Sequence, residues 1–444
     1  MKQLRTIVFV AMALALTLGI SHSVTLAQGQ FPGYTSGIQV QNLSSEQANI
    51  TLDFYKADGT KDNTVSDTIN GNSSKTYFGT TLPVSQGFSG SAVISSDKPV
   101  AAISNLVNSA FTAGAAYVGS SQGTTSVNLP LLMKGNSGFN TWFSVQNAGS
   151  GAANVTVNYS DGTSATASIP VGSAKTFYQA QENHSEKVFS GKITSDQPVV
   201  AVVLEEDAKT MFAYSGFTAG STNPVLPLIN SNNANTITGV QIQNTGTDST
   251  EVTLSYTPTP GFGTACTETQ TIAAGKSATF ALFAFSPSGS SSSNCTPGQR
   301  FVGSAQVTKN TTNQPLAVIV NQLNSGVFGE AYGGFDPANA NQTVVMPLIM
   351  DRNSGYFTGF NVMNVGSVAT DVNCTFTNTS YTAQANLSPG EAMNDIQLKK
   401  IADKYVGSAT CTASASNAKI VGVVNELKEN ATNDQLLTYE AFNP

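Results

Sequence analysis

Only two histidines occur in this 444-residue sequence, and one of them, His22, lies close to the N-terminus. The other, His184 in QENHSEK, is therefore the one imidazole further along, a side chain that could serve as a general base. Gly135-Asn136-Ser137-Gly138 resembles a serine-nucleophile loop, but its sole potential base is that same His184. Glu205-Glu206-Asp207 forms a short acidic run. On a loop such a run is solvated, and the chemical alternative is a calcium site. There is no G-x-S-x-G elbow, no H-E-x-x-H and no phosphate-binding loop. The sequence thus assigns no catalytic, cofactor-binding or metal-ligating residue. It reads His184 as a solvated loop side chain and the protein as a non-enzyme.

The chemistry the sequence does offer is thiol chemistry. Cys374 replaces the inward aliphatic residues Leu52, Val157 and Leu254 of similar segments, and Cys411 replaces Ile94, Ile193 and Val307. Two inward cysteines in an exported chain predict a disulfide across a domain core. Cys266 and Cys295 lie in segments that lengthen the third repeat, and are expected to tie its inserted loops together. The alternative is two free buried thiols in each domain. The spacings fit no zinc pattern.

Lys2 and Arg5, an apolar run from Thr6 to Ile20, and Thr25-Leu26-Ala27 read as a secretory signal peptide cut after Ala27. No later stretch is long and apolar enough to span a bilayer. The expected location is secreted or at the cell surface. Charged residues make up 11% of the chain and the net charge is −7. With no basic cluster, a nucleic-acid partner is not expected. Ser, Thr, Asn and Gly suit exposed sheet faces and turns.

The elements that carry these residues are repeated. QVQN at 39–42 returns as SVQN at 144–147, QIQN at 241–244 and NVMN at 361–364. A recurrence of roughly a hundred residues exceeds a solenoid period and matches whole small domains. Each phrase is followed by alternating segments such as Val155, Val157, Tyr159 and Val252, Leu254, Tyr256. Period two broken by Asp58-Gly59 or Asp161-Gly162 predicts half-buried antiparallel strands joined by hairpins. Val199 to Leu204 is apolar on both faces and should be a central strand. The fold class expected is all-β, with four tandem immunoglobulin-like β-sandwich domains in an elongated array. The domains are 28–124, 125–222, 223–340 with inserted loops, and 341–444, after the signal peptide at 1–27. Val240 and Ile242 should point inward. Asn244 should end its strand by bonding its own backbone two residues on, in a place that tolerates left-handed geometry, and Gly246 should help the turn. The functional alternative is a ladder of the four Asn along a ligand.

These units resemble the cell-adhesion-related immunoglobulin-like domain of bacteria. The likeness rests on Asn147, Gly149, Val155 to Tyr159 and Pro170 to Phe177, and on Asn364, Gly366 and Pro389-Gly390 in the last unit. The first unit has Asn70-Gly71 in place of Pro-Gly. The resemblance implies a sandwich on an exported surface protein and brings no catalytic residues.

Leu/Met-Pro-Leu segments centred on Pro130, Pro227 and Pro347 separate the units. Proline confines them to sheet edges or strand starts. There are three for four sandwiches, so one end sandwich lacks a strand. Gln28 to Ser36 alternates too little to supply it for the first. An exposed edge recruits strands from other chains, so self-assembly through such an edge is one expected partnership, with other surface proteins or glycans as further partners. Tyr214/Phe217, Tyr332/Phe335 and Tyr439/Phe442 are read as core, with sugar-stacking platforms as the alternative. The function expected is a structural or adhesive surface protein, a spacer, coat or filament subunit. The alternative is a carbohydrate- or protein-binding module array.

Overall fold

Alternation becomes pleat throughout this chain. In Ala153–Tyr159 and Thr370–Phe376 every second side chain is buried and the intervening ones are half-buried or exposed, as expected when one face of a strand meets a core. The computed structural model describes residues 5–9 and 281 (backbone only), 31, 33–78, 82–280, 292–324 and 327–444. Apart from the strand Arg5–Phe9, the expected signal peptide lies outside the described residues. Among the described residues the only helical element is the 3-10 turn Gln179–Gln181, and no helix is long and apolar enough to cross a membrane.

The last sandwich gives the pattern. Its eight strands are Thr343–Asp351, Tyr356–Asn364, Thr370–Phe376, Thr382–Leu387, Ala392–Ile396, Tyr405–Ala413, Ile420–Lys428 and Leu436–Glu440. One antiparallel sheet runs first-sixth-third-fourth and the other fifth-second-seventh-eighth. The same order recurs three times. In the sandwich of residues 124–217 the sixth and seventh strands are one continuous strand, Val188–Glu206, which joins both sheets. The expected central strand, Val199 to Leu204, is its second half and lies between Asn140–Asn147 and Met211–Ser215. The strand order departs from that of an immunoglobulin sandwich, whose first two strands share a sheet. Here the first strand lies beside the sixth, in the other sheet from the second.

The recurring Asn is a brace between the two sheets. Asn364 Oδ1 accepts the Gly366 N–H (3.0 Å), and its Nδ2 donates to the carbonyls of Val368 (2.8 Å) and Leu387 (3.0 Å). Asn42, Asn147 and Asn244 make the same three kinds of bond. One side chain at the end of the second strand thereby fixes the next turn and holds the end of the fourth strand, in the opposite sheet. All four Asn are fully buried, so they form no ladder open to a ligand. None has a positive φ, so left-handed geometry is not why Asn is used. Gly246 also lacks a positive φ. It is required because a Cβ there would meet Gln314 Oε1 at 2.1 Å, the atom that accepts the Thr247 and Asp248 N–H groups.

The Leu/Met-Pro-Leu strands are the end strands of their sheets, as expected, each tied on its outer side by a single bridge. Each has the sixth strand on one side and the Tyr-x-x-Phe segment on the other. Thr124–Met133 pairs with Val188–Glu206 and also exchanges bonds with Phe217 through Asn128, at 2.8 and 2.9 Å. Val225 with Phe335, and Val345 with Phe442, repeat this. Proline is tolerated because the ladder slips at that point, between Leu226 and Ile229 for instance, forming a bulge with one extra residue. The bulge frees backbone groups that the buried tyrosine satisfies. Tyr332 Oη donates to the Leu228 carbonyl (2.5 Å) and accepts its N–H (3.2 Å). Tyr214 holds Leu131, and Tyr439 holds Leu348, in the same way. These tyrosines are core, not sugar platforms. Tyr332→Phe keeps the ring and strands two buried backbone groups. It is expected to destabilise its unit by about 2 kcal/mol, read as a lower midpoint in urea at unchanged m-value.

The chain divides into two compact units, 1–218 and 219–444, each holding a pair of these sandwiches. Within the first pair, Ser91 Oγ donates to the Gly172 carbonyl (2.5 Å), and Gln146 Nε2 bridges the carbonyls of Ala92 and Gly172. Within the second, Ser304 Oγ donates to the Gly390 carbonyl (2.7 Å) from the corresponding position. Strands Gly114–Val118 and Met211–Ser215 pack together in one pair, Phe328–Gly333 and Leu436–Glu440 in the other.

Candidate functional site

The acidic run expected on a loop lies on a strand and its turn. Val188–Glu206 carries Glu205 and Glu206 to its end, both fully buried. Glu205 lies opposite Thr141 in the ladder, close enough to Tyr214 to add to the effect of burial in pushing that phenol well above its ordinary range. Glu206 faces the joint within the first pair. Its carboxylate accepts the Tyr34 hydroxyl (2.7 and 2.9 Å) and the Trp142 indole N–H. Asp207 caps the following turn, accepting the N–H groups of Lys209 and Thr210. Three neighbours in sequence thus point three ways. The both-face apolar run before them was the available signal that the strand continues. Among the described residues no group of three or more His, Cys, Asp or Glu is placed to hold a metal ion.

His184 is likewise not a solvated loop side chain. Its ring is fully covered, stacked on Phe189 (centroids 4.0 Å apart) and edge-on to Tyr159 (4.7 Å). Nδ1 lies 3.0 Å from Asp161 Oδ2 and 3.2 Å from Thr163 Oγ1. The imidazole therefore fastens the 179–187 segment onto the Asp161-Gly162 hairpin turn, where Gly162 supplies the positive φ of 92°. Burial alone raises the Asp161 carboxyl. Hydrogen bonds from the Thr163 side chain and N–H, from His184 and from the Ser185 N–H outweigh it and hold the group down at about 2. A carboxyl with a lowered folded value stabilises the fold above its unfolded value, near 4, and loses that contribution as pH falls through its folded value. Asp161→Asn is expected to be less stable than the parent at pH 7, with the gap closing as pH drops from about 4 to about 2. Thermal melts of both chains across that range check it. A gap that stays constant with pH would exclude the carboxylate as its source.

Ser137 occupies a tight turn between the first and second strands, with positive φ at Gly135, Ser137 and Gly138 and the bridge Asn136–Phe139 at its base. The same turn recurs at Asn233–Thr236 and Asn353–Tyr356. It is a hairpin device of the repeat, and the base His184 is committed to Asp161 instead.

All four cysteines are bonded, as Cys266–Cys295 and Cys374–Cys411. Cys374 and Cys411 are directly opposite on neighbouring strands, the third and sixth, of one sheet. The bond therefore runs along the core face of that sheet and does not cross the core to the other, as had been expected. Residues on one face of adjacent strands are closer than residues on facing sheets. Cys266 opens the strand Cys266–Ile272, and Cys295 follows the short strand Ser292–Ser293 that pairs with it.

A cleft open to solvent lies within the first pair. Tyr117, Ser120, Ser121, Val202, Ser215 and Thr218 contribute to its wall. Hydroxyl side chains around an apolar floor offer hydrogen bonds without charge. Sequence reading missed this cleft because its two sides come from segments nearly a hundred residues apart. No family model matches the chain, and no curated protein matches it.

Proposed function

We propose that the chain is a non-catalytic exported protein of the cell surface, structural or adhesive, which loses residues 1–27 as a signal peptide. The observation that carries this reading is the use made of the reactive side chains. His184, Asp161, Glu206 and the four Asn each brace a turn, a sheet or a joint, and the cysteines are committed to disulfides, which persist in oxidising compartments. The resemblance to the bacterial cell-adhesion-related domain supports the same assignment at the level of strand-and-turn phrases, carried on a sandwich with a different strand order. Immunogold electron microscopy of intact cells, with fractionation and N-terminal sequencing, tests it. Label on the surface and a first residue of Gln28 are the expected results. A reduced, cytosolic chain starting at Met1 would overturn the reading.

A second reading, a carbohydrate- or protein-binding module array, is favoured by one observation, the hydroxyl-lined cleft beside Ser121 and Thr218. Its test is an array of glycans probed with the native chain and with Ser121→Trp, which fills the cleft from an exposed position. Binding by the first and not the second would support it.

A further inference from the structure

The first sandwich takes its first strand from a segment unlike that of the other three. Pro130 and Asn147, Pro227 and Asn244, and Pro347 and Asn364 are equally spaced, so each Leu/Met-Pro-Leu strand stands at one fixed distance before its bracing Asn. The same step back from Asn42 reaches Thr25, upstream of the expected cut after Ala27. In the structure the seat is taken by Arg5–Phe9, which runs antiparallel to Gly90–Ser96 from Arg5 opposite Ser96 to Phe9 opposite Ala92. That is the register of the other sandwiches. Phe9 opposite Ala92 corresponds to Leu129 opposite Gly191, Leu226 opposite Ala305 and Met346 opposite Ala409.

The seat has the shape of a slot. In the other sandwiches the seated strand is bonded along one side by the sixth strand and bridged on the other by the Tyr-x-x-Phe segment, so it admits a single strand and not the edge of a second sheet. Its floor is apolar, with Ala92, Ile94 and Tyr117 all buried. The strand that forms its wall, Gly90–Ser96, carries no charge and no proline, the devices that ordinarily blunt an edge.

We propose that, in the chain freed of residues 1–27, this slot in the first sandwich binds an extended apolar segment of another exported polypeptide, which completes the sandwich by strand addition. The inference rests on the export reading above. The occupant is defined by the strands seated in the sister slots. It is uncharged on its inner face and aliphatic at alternate positions, as Val127 and Leu129 or Val344 and Met346 are, all four buried. It runs antiparallel to Gly90–Ser96, with its inner residues over Ala92 and Ile94.

N-terminal sequencing of the exported protein first separates the two readings. A start at Met1 removes the export premise without bearing on the slot's fit for a strand. The binding test uses the chain Gln28–Pro444 and a synthetic peptide of sequence SVNLPLLM, residues 126–133, with a scrambled peptide as control. A second chain carries SVNLPLLM grafted ahead of Gln28 at the spacing of the other repeats. The expected results are one-to-one binding of the peptide by calorimetry, a raised Tm of the first unit, no response to the scrambled peptide, and a grafted chain that already melts higher and no longer binds. Absence of peptide binding together with an unchanged Tm in the grafted chain would overturn the proposal. Concentration-dependent self-association of Gln28–Pro444 that the graft abolishes would also overturn it, by making a second copy the occupant.

Discussion

Asn364→Ala is expected to lower the stability of the second compact unit by about 4 kcal/mol, because it leaves two buried carbonyls and one N–H without their partner at once. The partners are the Val368 and Leu387 carbonyls and the Gly366 N–H. They belong to a turn and to the opposite sheet, so no local shift can re-pair them together. Asn364→Asp separates the two halves of the argument. It keeps the acceptor for Gly366 but sets a carboxylate against two carbonyls, so it should retain little of the lost stability. Urea denaturation at neutral pH measures both. The idea fails if the alanine variant loses less than about 1 kcal/mol, the typical net worth of a single hydrogen bond. Equivalent variants at Asn147 or Asn244 should behave alike, since the bonds repeat with nearly the same lengths.

Removing the Cys374–Cys411 bond by changing both residues to alanine is the second large effect. The bond closes a loop with a sequence separation of 37, for which chain entropy alone gives about 4 kcal/mol. Both cysteines are fully buried on the core face, so two lost sulfurs add a small cavity term. The loss should appear in the second unit. Calorimetry should show that transition move down while the transition of residues 1–218 stays in place. Peptide mapping without reductant gives the direct check, and recovery of Cys374 and Cys411 as free thiols would sink the idea. Cys266–Cys295 has a similar separation, 29. It ties a half-exposed segment to a strand end, so its removal should cost less in cooperativity of the core.

Much of this architecture was legible because it depends on local pattern. Val155, Val157 and Tyr159 alternate in sequence and alternate in burial. The Asp-Gly turns fall at Gly59 and Gly162, both with positive φ. Asn244 was read as a device that bonds two residues on, and it does. Its reach to Ile272 in the other sheet was not legible, since nothing near Asn244 in sequence specifies what will lie across the core.

What the sequence by itself determined about this protein is therefore the period-two strands, the hairpin turns, the hundred-residue repeat and the absence of charge-rich surfaces, all set by neighbours within a few residues. Tertiary structure alone decided which strands became neighbours, and several roles follow from that. It set the first strand beside the sixth and so placed Cys374 and Cys411 along one sheet. It seated each Leu/Met-Pro-Leu strand at the end of its sheet beside the sixth strand and gave the freed Leu228 groups to Tyr332, more than a hundred residues away. It turned His184 inward onto Asp161, and Glu206 into a joint with Tyr34. The physical reason is burial. A polar side chain removed from water must find a partner, and which partner is within reach depends on how strands distant in sequence are stacked, which no local pattern encodes.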